Sequence, residues 1–115
     1  MLINKIKGEN NMGLTITREA ENGVLLNYHR IVTVQQVINN QTTIEVGSYV
    51  SANERKKEAK AIANGESMNV YIDTTFYNLP YDSEMNIDKA YEWLKTQPGW
   101  EDAVDDNECI AIDNK

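Results

Sequence analysis

The sequence predicts an α+β fold: an antiparallel β-meander of about four strands with a C-terminal amphipathic helix packed on one face. Two observations predict it. Apolar and polar residues alternate in four stretches, which is typical of strands whose side chains point to opposite faces of a sheet. Between Ile87 and Leu94 the apolar residues instead recur at i, i+3, i+4 and i+7, which indicates a helix with one apolar face.

A central hairpin is predicted from two strands, residues 24–37 and 42–50, joined at the polar turn 39–41. Alternation in the first strand is imperfect. Ile31 falls on its nominally polar face and Arg30 on its apolar face. We therefore expect a bulge in this strand, or a partial cover over its second face.

Two further strands flank the hairpin in sequence. Residues 14–18 alternate and lead into a turn that ends in Asn22-Gly23, so the first three strands should form a meander. Residues 68–77 alternate again and predict a fourth strand, whose neighbour in the sheet the sequence does not specify. The chain is expected to leave the sheet over 78–82, because Pro80 cannot donate to a strand ladder.

A helix is predicted over residues 52–63, after the third strand. Ser51 and Glu54 have the spacing of a capping box, and Asn64-Gly65 supplies a left-handed stop. Ile62 is the only large apolar side chain of this segment, so we expect the helix to lie on the surface.

The C-terminal helix should begin after Ser83 or Asn86 and stop at Pro98-Gly99. Its apolar face predicts docking on the sheet, because so short a helix is held by packing and not by propensity. Trp100 is expected to fold back over the seam between this helix and the sheet.

A length of 115 residues predicts one domain. We place it at residues 12–104, with residues 105–115 as an acidic tail. Residues 1–11 are either a translated leader, with Met12 as the natural start, or a flexible N-terminal arm. No apolar run in the chain approaches the length of about 20 residues that a membrane-spanning helix needs, so no membrane partner is expected. The chain also shows no secretory signal, and we therefore expect it to be made in a cytoplasm.

The charge of the chain is concentrated at its C-terminal end. Residues 82–115 hold ten acids and three bases, and the net charge of the whole chain is −7. Binding to nucleic acid depends on neutralising phosphates with Lys and Arg. Direct nucleic-acid binding is therefore not expected.

Groups that could do chemistry do not form a recognisable set. His29 has no nucleophile or orienting acid at a familiar spacing, which favours a structural or surface histidine. Cys109 lies among acids that disfavour its thiolate, and the acids of 102–108 lack the pattern of a calcium loop. We expect no catalytic, cofactor or metal site, and no enzymatic activity.

Aromatic residues are more numerous than one small core usually holds, and tyrosine and tryptophan are enriched at protein interfaces. A place at the rim of the core and a place in an interface both remain open for them. The candidate interface residues are Tyr28, Arg30, Tyr49, Tyr71, Tyr77, Tyr81, Trp93 and Trp100.

Four short motifs carry a resemblance to a known group of proteins. They are Tyr28-His29-Arg30-Ile31, Gly47-Ser48-Tyr49, Ala90-Tyr91-Glu92-Trp93-Leu94-Lys95 and Pro98-Gly99-Trp100. In type and order they resemble small proteins encoded beside tail and tail-fibre genes in bacteriophages and prophages. The resemblance covers residues 12–104 and transfers no catalytic residue.

This resemblance implies a non-enzymatic phage protein, made in the host cytoplasm and built into the virion as a subunit or accessory of the tail or baseplate. Its partners would be other phage structural proteins or further copies of itself. The alternative is an acidic inhibitor of a host nuclease or defence complex. Such an inhibitor would bind a basic host protein through Asp102, Asp105, Asp106 and Glu108.

Overall fold

A computed structural model of the protein describes residues 13–66 and 70–106, which form a five-stranded antiparallel sheet with one helix on each face. The elements are β1 (Gly13–Glu19), β2 (Leu25–Val37), β3 (Gln41–Tyr49), α1 (Ala52–Ala63), β4 (Asp73–Pro80), α2 (Ile87–Leu94) and β5 (Val104–Asp106). Their order across the sheet is β4-β3-β2-β1-β5. The antiparallel meander is confirmed, and the sheet has one strand more than predicted.

The hairpin of β2 and β3 is the centre of the sheet. Its turn places Asn39 at a φ of 61°, a conformation that asparagine tolerates. The pairing shifts register between Ile31 and Thr33, which confirms the expected bulge. The hydroxyl of Tyr91 accepts a hydrogen bond from the Ile31 N–H at this point, at 2.9 Å. The irregularity in the strand is thus tied directly to α2.

The sheet face under α2, here called the α2 face, carries the main core. Asn86 caps the helix by accepting the Lys89 N–H at 2.8 Å. Ile87 is half exposed, so the apolar stripe is narrower than the sequence predicted. The buried members of this core are Leu14, Ile31, Ile44, Val46, Ala90, Tyr91, Leu94 and Trp100.

Trp100 folds back on this core as predicted. Gly99, at a φ of 87°, allows the turn, and the indole N–H of Trp100 donates to the Tyr77 hydroxyl at 2.9 Å. Arg18 lies over the outer side of the indole, 4.3 Å from its centroid. The turn that holds Trp100 is therefore fixed to both β1 and β4.

The opposite face of the sheet, here called the α1 face, is covered at one end by α1. The helix has the predicted bounds and ends in a Schellman motif, because the Glu66 N–H donates to the Ala61 carbonyl and the Gly65 N–H to that of Ile62. The predicted capping box is wrong: the Ser51 side chain makes no cap bond, and the Glu54 carboxylate lies 3.5 Å from Lys57. The residues of α1 that are buried are Glu58 and Ala61.

The two outer strands differ from their predictions. β4 begins at Asp73, so residues 70–72 of the predicted strand are not part of it, and residues 68 and 69 lie outside the described residues. The strand keeps Pro80, which an edge strand tolerates because its outer N–H groups need no partner in the sheet. β5 pairs with β1 and extends the sheet two residues into the stretch expected to be an acidic tail. The predicted leader 1–11, Met12, Cys109 and the tail beyond Asp106 lie outside the described residues.

Candidate interaction surface

His29 is the side chain best suited to acid–base chemistry, and it is buried inside the fold. Its Nε2 lies 2.8 Å from the Ile16 carbonyl oxygen, which can only accept, so Nε2 carries the proton. Nδ1 then accepts from the Ser48 hydroxyl at 2.7 Å. Burial lowers the pKa of His29 from its usual 6.5, and the positive charge of Arg18 acts in the same direction.

A serine bonded to a histidine is also the start of a nucleophilic site. Here, however, His29 is 1% exposed and Ser48 is 6% exposed, so neither can be reached by a substrate in this conformation. The second ring nitrogen bonds a peptide carbonyl where a catalytic pair would use a carboxylate. The arrangement is that of a structural histidine joining β1, β2 and β3.

Glu58 is the second unusual group, because its carboxylate is fully buried between α1 and the sheet. Its Oε1 accepts from the Tyr49 hydroxyl and from Arg55 Nη1, both at 2.7 Å. Its Oε2 accepts from the Val70 N–H at 3.2 Å, and Arg30 Nη2 lies 3.8 Å from Oε1. Helix, sheet and the segment before β4 therefore meet at one carboxylate.

The electrostatics of this group are those of a compensated internal charge. Burial raises the pKa of Tyr49 to about 12, and its bond to Glu58 adds to the shift. Burial alone would lower the pKa of Arg30, but the bond to Tyr49 and the charge of Glu58 leave it raised. Tyr49 is therefore a neutral donor and Arg30 a permanent cation, and both stabilise the Glu58 carboxylate.

The described residues offer neither a metal cluster nor a membrane-spanning helix. Within 13–66 and 70–106, no group of three or more His, Cys, Asp or Glu side chains is placed to hold a metal ion. Neither helix in that part of the chain is long and apolar enough to cross a membrane.

Three of the predicted interface residues are buried in the fold and present no surface to a partner. Tyr28 and Tyr49 pack on the α1 face and Trp100 on the α2 face, so of the two places left open for them, core and interface, this conformation shows the core. α1 covers the first two, and Trp100 is buried by its expected return over the seam beside α2. A fourth predicted residue, Arg30, belongs to the Glu58 cluster.

The other four predicted interface residues converge on β4. Tyr71 precedes the strand, Tyr77 lies within it, and Tyr81 follows it. Trp93 of α2 packs edge-on against Tyr77, with the ring centroids 5.8 Å apart. All four are partly exposed.

Two apolar side chains that the sequence did not single out complete this surface. Phe76 is 62% exposed on the α1 face, at a point that α1 does not reach, and Ile72 is 52% exposed just before the strand. An open cleft of about 410 Å³ lies between Ile72, the start of β4 and the turn 20–22. We call β4, Tyr71, Ile72, Tyr81 and Trp93 together the β4 surface.

The outer edge of β4 is the main feature of that surface. Among the described strands β4 is a terminal member of the sheet, paired with β3 along its whole length. A terminal strand presents a row of backbone donors and acceptors to any extended chain that lies beside it. Its six residues from Thr74 to Leu79 carry no charged side chain, so electrostatic repulsion does not prevent a second strand from pairing with this edge.

Comparisons of the chain with protein-family models, with curated proteins and with solved structures gave no match.

Proposed function

We propose that this protein is a non-enzymatic subunit or accessory of a bacteriophage tail or baseplate, and that it works through protein contacts made by the β4 surface. The observation that carries the proposal is the edge of β4, which no other described strand pairs and which carries no charge from Thr74 to Leu79, with Phe76 and Ile72 exposed beside it. The phage setting is drawn from the resemblance of the sequence motifs.

The β4 surface has the components of a protein-binding site. An edge strand supplies main-chain hydrogen bonds to a partner strand, and exposed side chains along it supply selectivity. Aromatic residues are enriched at protein interfaces, and Tyr71, Tyr77, Tyr81 and Trp93 are partly exposed on or beside the strand that carries Phe76. Each large apolar side chain that a partner fully covers contributes about 1.5–3 kcal/mol.

Two of the sequence motifs that carry the phage resemblance lie in the interior of the fold and not on the β4 surface. Tyr28-His29-Arg30-Ile31 leads into the β2 bulge, and Gly47-Ser48-Tyr49 pairs with it across the hairpin. His29 bonds Ser48, and Arg30 donates to Tyr49 at 3.0 Å. These motifs build the interior, so the resemblance supports a shared architecture while the β4 surface supports the contact role.

The proposal is tested with virions purified from a phage that encodes this chain. We expect mass spectrometry to detect the protein in stoichiometric amounts. Phe76→Glu should remove it from the particles, because the new charge lies at the edge a partner must cover. Val104→Glu is a matched control, since Val104 is also 62% exposed but lies on β5 at the other edge. Absence of the wild-type protein from virions, or equal loss of both variants, would overturn the proposal.

A second candidate function is inhibition of a basic host protein. The stretch from Asp82 to Asp106 holds eight acids and two bases, which favours this role. Asp105 is already engaged, however, because its carboxylate accepts from Lys95 Nζ at 2.8 and 3.0 Å. The inhibitor role predicts capture of a basic host protein at low salt and its release when Asp102 and Asp105 are neutralised. Capture that is insensitive to salt would rule it out.

A further inference from the structure

We propose that the partner at the edge of β4 is a second copy of this chain, paired antiparallel through β4 to form a two-fold dimer. This inference rests on the proposed function, because it names an occupant for the same surface. The two sheets would become one continuous sheet with the two β4 strands at its centre.

The two outer strands of the described sheet differ in how they resist pairing. Two of the three described residues of β5 are the aspartates Asp105 and Asp106. Charged side chains are a common means by which proteins prevent association at a sheet edge. β4 has eight residues, with one acid, Asp73, at its first position and Pro80 at its last. The long edge is therefore the one left open to pairing.

Of the described residues, only the three of β5 could pair with β4 of a neighbouring copy, which would leave most of the longer strand uncovered. Pairing of β4 with β4 uses the full length on both sides. It also gives a closed, symmetric assembly, as most homo-oligomers do. The geometry thus favours the two-fold arrangement over a head-to-tail chain.

Symmetry restricts the register of such a dimer. A two-fold axis perpendicular to the sheet keeps the α2 faces of both copies on one side, so residues directly opposite each other must point to the same face. A register centred on Phe76 meets this condition and sets the two Phe76 side chains against each other. Thr74 then lies opposite Asn78 of the other copy. Cross-strand aromatic pairs of this kind stabilise antiparallel sheets.

The charges of the chain are compatible with this contact. Two copies with a net charge of −7 each repel one another, but the register centred on Phe76 places Asp73 opposite the apolar Leu79. No two carboxylates of β4 come face to face. Pro80, which lacks an N–H, falls opposite Ile72 at the margin of the paired segment, where a missing hydrogen bond costs least.

Cysteine cross-linking tests the register directly, in the full chain with Cys109→Ser so that one thiol remains. Residues opposite each other in antiparallel strands have Cα atoms about 4.5–5.5 Å apart, which is within the range of a disulfide. We expect Phe76→Cys to form a covalent dimer on mild oxidation. Thr74→Cys and Asn78→Cys should cross-link when mixed but hardly at all alone. Val104→Cys, equally exposed on the other edge, is the control.

Sedimentation of the unmodified chain completes the test. We expect a dimer for the wild type and for Val104→Glu, and a monomer for Phe76→Glu. A monomeric wild type across the micromolar range, a ring or trimer, or a Phe76→Cys yield no greater than that of Val104→Cys would overturn the two-fold pairing. Absence from virions alongside efficient Phe76→Cys cross-linking would instead contradict the tail role and leave the dimer intact.

Discussion

Replacement of Glu58 by alanine tests whether one buried carboxylate holds α1 against the sheet. In the wild type this carboxylate accepts three hydrogen bonds and lies within 3.8 Å of two arginines. The apolar contribution of α1 to the interior is small, since Ala61 is its other buried residue. Loss of the carboxylate should therefore weaken the attachment of the whole helix.

The size of the effect follows from what Glu58→Ala leaves behind. Removal of one partner from a buried ion pair costs about 3–5 kcal/mol, because the remaining charge stays buried without compensation. Arg30 and Arg55 retain some access to water, 21% and 12% of their side-chain surface, which favours the lower end. We expect a loss of about 3 kcal/mol in the free energy of unfolding. Glu58→Gln should lose less, because it keeps the volume and one acceptor.

Urea unfolding followed by tryptophan fluorescence measures this loss, since Trp100 is buried in the folded state. Glu54→Ala is the matched control on the same helix. Its carboxylate is paired with Lys57 at 3.5 Å on the surface, where such pairs contribute about 0–1 kcal/mol. Equal losses for Glu58→Ala and Glu54→Ala would refute the claim that α1 is anchored by a buried charge.

Three further perturbations probe other parts of the fold. Tyr91→Phe removes the acceptor of the Ile31 N–H at the bulge and should cost about 1–3 kcal/mol in urea unfolding; a loss near zero would show that the bond is replaced. Burial lowers the pKa of His29, so as the pH falls the histidine is protonated in the unfolded chain before it is protonated in the folded one. The free energy of unfolding should therefore decrease as the pH drops below 6.5, and His29→Gln should reduce this dependence on pH. Gly47→Ala places a Cβ 2.9 Å from Val32 Cγ2 and should cost about 1–3 kcal/mol in thermal unfolding; an unchanged melting temperature would contradict this packing.

The parts of the fold that the sequence predicted well are those with local causes. Alternation with period two located β1, β2 and β3 to within one residue at each end, and turn residues located their connections. α1 has the predicted bounds because its stop signal at Asn64-Gly65 is also local. The bulge was foreseen because Arg30 and Ile31 broke the alternation visibly.

The parts that were missed depend on contacts distant in the chain. β5 has three residues with no alternating apolar pattern, and it exists as a strand because β1 lies beside it. A partial cover was expected only as an alternative to the bulge and was not attributed to α1, because the anchor of this helix is a glutamate, which a search for apolar periodicity passes over. The sequence did contain one indication of a buried charge cluster. Arg55 and Glu58 are three residues apart on the helix, and Arg30 lies on the nominally apolar face of its strand.

The same omission explains the errors in the predicted interface. The number of aromatic residues made Tyr28 and Tyr49 interface candidates, with a place in the core left open, and packing against the α1 side of the sheet buries both. Phe76 was not singled out, although it stands on that same face. The exposure of Phe76 depends on how far α1 extends along the sheet, and the sequence of β4 alone does not predict that extent.

α1 packs on the central strands β2 and β3 and away from the edge of β4, so its contribution to stability should be separable from association at that edge. Glu58 acts between α1 and the sheet, whereas Phe76 stands on a strand held by its pairing with β3. Glu58→Ala should therefore lower the free energy of unfolding and leave the Phe76→Cys cross-link intact under native conditions. Phe76→Glu should abolish the dimer and change the unfolding free energy of the monomer by no more than about 0.5 kcal/mol, as an exposed site does. If Glu58→Ala abolished cross-linking while the sheet stayed folded, α1 would have to be part of the contact.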